Sequence, residues 1–488
     1  MRSLKIISIL TIFFSVSFTG VPGAVFFPVN QPEHQFIYDL ARRAEISGSF
    51  DDYNFNVAPY NFDRIELSYP LSGHISGIDQ KHISAFAFLS EDFSSAGYAR
   101  AQGYESIRGG AIARPHDKIY LYTNFLLDEK MQDDPDYTGK KWRGLAGEIE
   151  NAFVAYGDKR MDIFLGRFSS FWGATDQSLV LSSTARPMDA FSFRFRWRII
   201  DFTYQFAKLD RLEPPDSAGL FQNRYFAGHR LDFRPVKNLR IGLFETIVFG
   251  GPGRSVDLTY LNPIMFYHAV QLNEDVDDNT FLGLDFCWYI NSRHKLYGQL
   301  MVDDMQVDNK AIGDQEPDEI GYMLGFHTLD LFDLLDLSAR YLKITNRTYN
   351  QKLERNRYEN RGSLIGHPFG PDGDNLQLTI TRWFESSKKL SLDLAYQRRG
   401  EGRYDESWTE PWREYDGDYT EPFPTGVVEK NFRSSLKAFG FYKELAYIEF
   451  EAGLENIKNF ENVPGDDRTI PFVHVRFSLI FQHLFKID

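Results

Sequence analysis

Between residues 191 and 199 the chain reads F-S-F-R-F-R-W-R-I, which sets Arg194, Arg196 and Arg198 two residues apart. Arg230, Arg234 and Arg240 follow at the same parity on later segments of the same kind. A guanidinium is a planar fork of donors that matches a carboxylate, so a row of them on one face can bind an acidic glycan through charge-assisted hydrogen bonds. The alternative is structural: the same arginines pair with inward acids such as Asp232 and Asp285 and fill the interior of the fold. The sequence leaves both readings open.

A second constellation lies between residues 399 and 433, where Tyr404, Trp408, Trp412, Tyr415 and Tyr419 stand among Asp405, Glu406, Glu410, Glu414, Asp416 and Asp418. Flat aromatic faces stack on sugar C–H surfaces and carboxylates accept hydrogen bonds from hydroxyls, the chemistry of a lectin patch. Packing of the loop on itself explains the same residues equally well. The acids at 273–279 and at Asp303, Asp304 and Asp308 are oxygen donors of the kind Ca²⁺ uses. The calcium-loop spacing with its central Gly and distal Glu is absent, so they are taken as solvated loop charge, and no metal or cofactor is expected. The chain has no Gly-x-Ser-x-Gly, no His-Glu-x-x-His and no phosphate-cradling glycine loop. Ser182 or Ser183 with His229 is the nearest approach to a nucleophile and base, and no enzymatic activity is expected.

The elements that must carry these groups are strands. Phe191, Phe193, Phe195, Trp197 and Ile199 fall on the face opposite Ser192 and the three arginines. Five large apolar groups backed by alternate arginines is the pattern of a lipid face over a wet lumen. The same period of two recurs at 282–290, 390–397 and 446–455. Reading onward gives strands at 147–155, 161–168, 190–199, 202–209, 229–234, 239–249, 281–290, 294–303, 320–328, 336–345, 375–384, 389–398, 434–442, 446–456 and 471–481. Segments 62–70, 82–90 and 119–127 bring the total to about 18.

The connections carry an independent signal. Short ones at 156–160, 200–201, 235–238, 291–293, 329–335, 385–388 and 443–445 alternate with long polar ones at 169–189, 210–228, 250–280, 304–319, 346–374, 399–433 and 457–470. All long loops therefore leave one end of an up-and-down sheet, as in outer-membrane barrels. In hydrocarbon an unpaired backbone amide costs several kcal/mol, so such half-polar strands span only if the sheet closes.

Before the barrel, Phe36, Ile37, Leu40, Ala41 and Ala44 recur at helical spacing between Pro32 and Gly48, which predicts a short amphipathic helix on the periplasmic side. Arg2 and Lys5, the apolar run from Ile6 to Phe18, and the small residues to Ala24 form a secretory signal peptide. The predicted organisation is a signal peptide at 1–24, a periplasmic helical segment and linker at 25–60, and a transmembrane barrel at 61–488. Aromatic residues make up 16% of the chain although its mean hydropathy is only −0.38, as expected when alternate residues face lipid. The single cysteine, Cys287, excludes an intrachain disulfide. The formal charge of −14 argues against nucleic acid as a partner.

Residues 171–191 read F-W-G-A-T-D-Q-S-L-V-L-S-S-T-A-R-P-M-D-A-F. This stretch resembles the Wzi-type capsule assembly family through Trp172, Gly173, Ser178, Leu179, Leu181, Ser182, Ala185, Arg186 and Pro187. Further resemblance lies in Gly228-His229-Arg230-Leu231, in Leu261-Asn262-Pro263 with Asp278-Asn279 and Gly283-x-Asp285, in Leu296-Tyr297-Gly298-Gln299 with Asp303-Asp304, and in the helix at Ile37-Tyr38-Asp39-Leu40. It covers roughly residues 35–308 and departs from the family pattern at Ala174 and at Ser183-Thr184. The resemblance implies an 18-stranded barrel, in the outer membrane of a diderm bacterium, that retains capsular polysaccharide at the cell surface. Trp172, Arg186, Trp408 and Trp412 join the six arginines as candidate glycan-binding residues. The expected partners are surface polysaccharide, outer-membrane lipids and the barrel assembly machinery. A porin or solute channel and an outer-membrane hydrolase are the alternatives.

Overall fold

The computed structural model describes residues 21–22, 26–48, 53–66, 75–76, 82–97, 101–134, 137, 139–212, 219–305, 315–384, 387–415, 418–442 and 445–486. The expected signal peptide falls outside the described residues except for Val21–Pro22, which pairs with Ile75–Ser76.

Eighteen antiparallel strands close into a barrel. In chain order they are β1 (His82–Ala96), β2 (Gln102–His116), β3 (Ile119–Asp128), β4 (Ala146–Gly157), β5 (Met161–Phe168), β6 (Met188–Trp197), β7 (Ile200–Lys208), β8 (Gln222–Val236) and β9 (Leu239–Pro252). The second half comprises β10 (Asn279–Asn291), β11 (His294–Asp304), β12 (Glu319–Leu331), β13 (Leu335–Ile344), β14 (Gly373–Phe384), β15 (Lys388–Arg399), β16 (Glu429–Tyr442), β17 (Ala446–Lys458) and β18 (Arg468–Lys486). Closure is made by β18 against β1, from Phe472 opposite Ala96 to Lys486 opposite His82, so the chain beyond Phe481 belongs to the closing strand.

The alternation has the expected sense. Phe191, Phe195 and Trp197 of β6 are exposed on the outer wall, while Ser192, Arg194 and Arg196 are buried inside. On β10, Leu282, Leu284, Trp288 and Ile290 face out and Asp285 and Cys287 face in. The turns at 117–118, 158–160, 198–199, 237–238, 292–293 and 332–334 share one end of the barrel, and the long loops leave the other.

Two strand assignments differ from expectation, and they cancel in the count. Segment 62–70 is not a wall strand: Phe62–Glu66 is a short helix whose Phe62 and Ile65 are buried, and 67–70 lies outside the described residues. The wall strand that replaces it is β2, which carries little apolar bulk of its own. Neighbouring rings cover its glycines: a Cβ at Gly109 would stand 2.8 Å from the Phe125 ring and one at Gly110 would stand 2.7 Å from Phe86. Phe125 of β3 covers the outer face and Phe86 of β1 the inner one, so periodicity within the segment does not reveal it.

The helix expected outside the barrel stands inside it. Helix α1 (Gln35–Ile46) lies in the lumen near the short-turn end, its Phe36 ring 4.5 Å from Phe441 and 5.9 Å from Phe439. Its polar side is tied to the wall by Glu45 to Lys295 at 2.7 Å, Arg43 to Asp336 and to Asp330, and Asp39 to Lys389. Phe26, Phe27, Tyr53, Phe55, Tyr60 and Phe62 complete this aromatic wedge. Above it the long loop 169–187 folds inward, so that Trp172 bridges Val57 of the N-terminal segment and Leu181 of its own loop. A polar cavity of about 480 Å³ remains between α1 and the wall from β12 to β18, lined by Asp39, Arg42, His327, Asp393, Lys437 and Glu451.

Candidate functional site

The inward arginines are enclosed and paired. Arg230 is fully buried between two carboxylates, donating to Asp232 at 2.8 and 2.5 Å and to Asp285 at 2.5 and 2.8 Å. Gly242 leaves it room, since a Cβ there would fall 2.1 Å from the guanidinium. Arg194 donates to the Val57 carbonyl at 2.8 Å, Arg196 to Asp162, and Arg240 to Asp201 at 3.2 Å and to the Tyr53 carbonyl at 3.1 Å. Arg234 lines the short-turn mouth near Tyr53 and Arg240. Arg198 departs from the expected lumen face. It occupies the exposed turn after β6 with φ 57°, its guanidinium 5.3 Å from the Trp197 ring centre. The strand has ended there, so alternation no longer governs its direction.

The motif residues of the inward loop converge on its docking. Gln299 on β11 accepts from Leu179 N at 2.8 Å and donates to the Trp172 carbonyl at 3.1 Å. Trp172 is wholly buried, and its ring fits against Gly228, where a Cβ would approach within 3.0 Å. Arg186 reaches out of the same loop to Asp134 at 2.6 Å and so anchors the neighbouring loop 129–145. These residues build the plug and its collar. Ser182 Oγ meets Thr184 and the Asp176 carbonyl inside the barrel, whereas His229 faces the outer wall, so the two do not form a nucleophile and base.

The surface left for a large ligand is at the long-loop end. Loops 345–372 and 400–428 are bound into one crown: Asp372 accepts from Gly402 N at 2.8 Å and from Thr425 N at 2.9 Å, and Asn350 donates to the Arg403 and Glu406 carbonyls at 2.7 and 2.6 Å. Arg347 joins Glu421 at 2.8 and 2.9 Å and lies 4.7 Å from the Trp412 ring. Burial opposes its charge, and the Glu421 hydrogen bonds and carboxylate override that, so its pKa rises above the ordinary value. Trp412 is thereby buried at 2% exposure and unavailable to a sugar, while Trp408 is half-buried and Tyr415 exposed. Around them Asp405, Glu406, Glu414 and Asp418 are open to solvent. Glu410 pairs with Arg413 and Lys352, and those two hydrogen-bond donors lower its carboxyl pKa.

A second exposed aromatic site was not anticipated. At the tip of loop 129–145, Trp142 is 62% exposed, with Lys140, Lys141 and Arg143 beside it and the Arg143 guanidinium 4.9 Å from its ring. The run Lys140-Lys141-Trp142-Arg143 is a visible signal, a cationic and aromatic cluster in an otherwise acidic chain. Of the acidic candidates, Asp278 pairs with Arg254 and Asp303 accepts from Tyr349 N, while Asp308 lies outside the described residues. Among the described residues no three His, Cys, Asp or Glu side chains are placed to share a metal ion.

The family model described as Capsule assembly protein Wzi matches residues 84–470. Among solved structures the chain is similar to Wzi of Escherichia coli, described as an outer membrane protein involved in group 1 capsule assembly and as a carbohydrate-binding β-barrel. That likeness has 13% identity over 93% of this chain and 99% of the other, with a TM-score of 0.62. A weaker likeness is to the outer membrane protein OprD of Pseudomonas aeruginosa, at 12% identity over 83% of this chain and 94% of the other, with a TM-score of 0.45. No curated protein sequence matches the chain.

Proposed function

Because this chain belongs to the Wzi capsule assembly family, we propose that it holds polysaccharide at the outer face of the outer membrane, binding glycan without chemical turnover. The observation that carries this reading is the filled lumen. Residues 26–48 and 53–66, together with the inward loop, pack through the interior against strands on both halves of the wall, which argues for a platform rather than an open channel. The surface that remains is the extracellular crown and the Trp142 tip.

The tip is the better docking point for an acidic glycan. Trp142 offers a flat face for sugar C–H groups, and Lys140, Lys141 and Arg143 supply cations against a chain charge of −14. The crown adds Tyr415 and Trp408 with acids that accept hydroxyl hydrogen bonds. The lumen arginines have a structural part in this reading, because each buried guanidinium already has a partner in the wall or the plug. The hydrolase alternative has no support in the placement of Ser182 and His229.

The test is made on cells. A deletion strain is complemented with the wild-type gene or with Trp142→Ala combined with Arg143→Ala, and cell-attached and released polysaccharide are measured separately. The reading expects the variant to shift polysaccharide from the attached to the released fraction at constant total. Equal partition in deletion, variant and wild type would remove it.

A further inference from the structure

On β8 and β9 the outer wall carries an acid that a lipid-facing surface should not hold bare. There the residues at the parity of Leu231 and Leu243 point outward, and that parity includes His229 and Glu245. A carboxylate bare to hydrocarbon is strongly disfavoured. Glu245 is not bare. Loop 253–278 folds down over the outside of the barrel, and the first turn of helix Tyr267–Glu274 caps the carboxylate. Tyr267 N donates to it at 3.0 Å, His268 N at 2.7 Å, and His229 Nε2 lies 3.2 Å away.

The covering is a packed structure. Tyr260, Tyr267 and Val270 of the loop cluster with the outward Tyr225, Ala227, Ile247 and Phe249 of the wall, apart from the core in the lumen. Tyr204 on β7 donates to the Tyr260 carbonyl at 3.0 Å. Arg254 joins Asp278 at 2.5 and 2.9 Å and closes the base of the flap. The other side of the flap presents large apolar groups, with Leu258 82% exposed, Ile264 76%, Phe266 73% and Leu272 70%, and the polar Asn273, Glu274 and Asp275 follow at the end of its helix.

Height identifies what covers that side. Strands rise about 3.4 Å per residue and tilt by about 40°, so each residue climbs about 2.5 Å through an apolar band about 25 Å tall. Glu245 to Phe249 stand six to ten residues above Leu239 at the short-turn end of β9, in the upper half of that band. The flap is therefore continuous with the lipid-facing Leu231, Leu243 and Leu282. We propose that loop 253–278 is embedded in the outer leaflet, with Leu258, Ile264, Phe266 and Leu272 among the acyl chains and Glu245 as the latch beneath it. The partner is lipid hydrocarbon, and the proposal is independent of any glycan binding.

Single cysteines at Phe266, at Leu436 on the bare wall and at Glu414 on the crown test it, each labelled with an environment-sensitive fluorophore in otherwise wild-type protein. Cys287 is buried and stays in place, and unsubstituted protein measures background labelling. In vesicles of phosphatidylcholine brominated on the acyl chains, the label at Phe266→Cys should be quenched like that at Leu436→Cys and should resist aqueous iodide. Iodide quenching equal to that at Glu414→Cys, or shielding from both iodide and bromolipid by a second copy, would overturn the proposal. So would a Leu436→Cys label that bromolipid does not reach, since the barrel itself would then be misplaced. Leu272→Cys repeats the measurement if Phe266→Cys folds poorly.

Discussion

The Arg42 guanidinium and the Asp176 carboxylate meet at 2.8 Å, which joins the N-terminal helix to an extracellular loop that folds inward. Burial pushes the Asp176 carboxyl up, and the neighbouring Arg42 charge and hydrogen bond override this and hold its pKa below the usual carboxylate value. Each half of the plug therefore keeps the other in place. Asp176→Asn leaves Arg42 without its partner and should loosen both. Planar-bilayer recordings should show more frequent ion-conducting openings in the variant than in wild type at neutral pH. Indistinguishable traces would mean that the pair does not hold the plug.

Arg230 is the heaviest single tie in the wall, because it neutralises Asp232 and Asp285 together. Arg230→Met keeps the bulk and strands two buried carboxylates. Breaking a buried pair in this way costs about 3–5 kcal/mol. The barrel's thermal unfolding temperature, followed by circular dichroism, should fall clearly, and part of the loss should return in Arg230→Met with Asp285→Leu.

Trp172 and Gly228 test the docking of the inward loop. A methyl at Gly228 intrudes on the Trp172 ring, so Gly228→Ala should destabilise by about 1–3 kcal/mol through overpacking. Trp172→Phe empties the same space. The double variant should be more stable than the sum of the two single losses predicts, a coupling that thermal denaturation of all four proteins measures.

The plug should also loosen in acid. His34 lies in the N-terminal segment, where burial lowers its imidazole pKa from 6.5 to about 3. The unfolded chain binds that proton more readily, so the stabilisation is complete above pH 6.5 and is lost as pH falls toward about 3. Opening frequency should rise through that interval. In His34→Phe, which cannot titrate and can still pack on Phe27, the rise should be smaller.

The closed wall is legible in the sequence because alternation and loop length report it independently. Residues 191–199 show why: large apolar groups alternate with arginines, so one face can meet lipid while the other turns into a polar interior. What is not legible depends on residues that act across strands. Strand β2 hides because Phe125 and Phe86 supply the bulk its glycines lack. The helix at 35–46 is visible as a helix, but its place in the lumen is set by Lys295, Asp336 and Lys389, far along the chain. Arg194, Arg196 and Arg230 had two readings from type and spacing, and only their partners Asp162, Val57, Asp232 and Asp285 show how they are used. Glu245 breaks the outward parity of β9, a mark of the flap that stands in the sequence itself.

The most direct measurement is the binding of purified, detergent-solubilised protein to immobilised bacterial polysaccharides across a range of salt. The account predicts saturable binding to acidic polysaccharide that weakens with salt, and a Kd about tenfold higher, or about 1.4 kcal/mol, in Trp142→Ala. No affinity for any polysaccharide, in protein whose barrel is intact by circular dichroism, would contradict it.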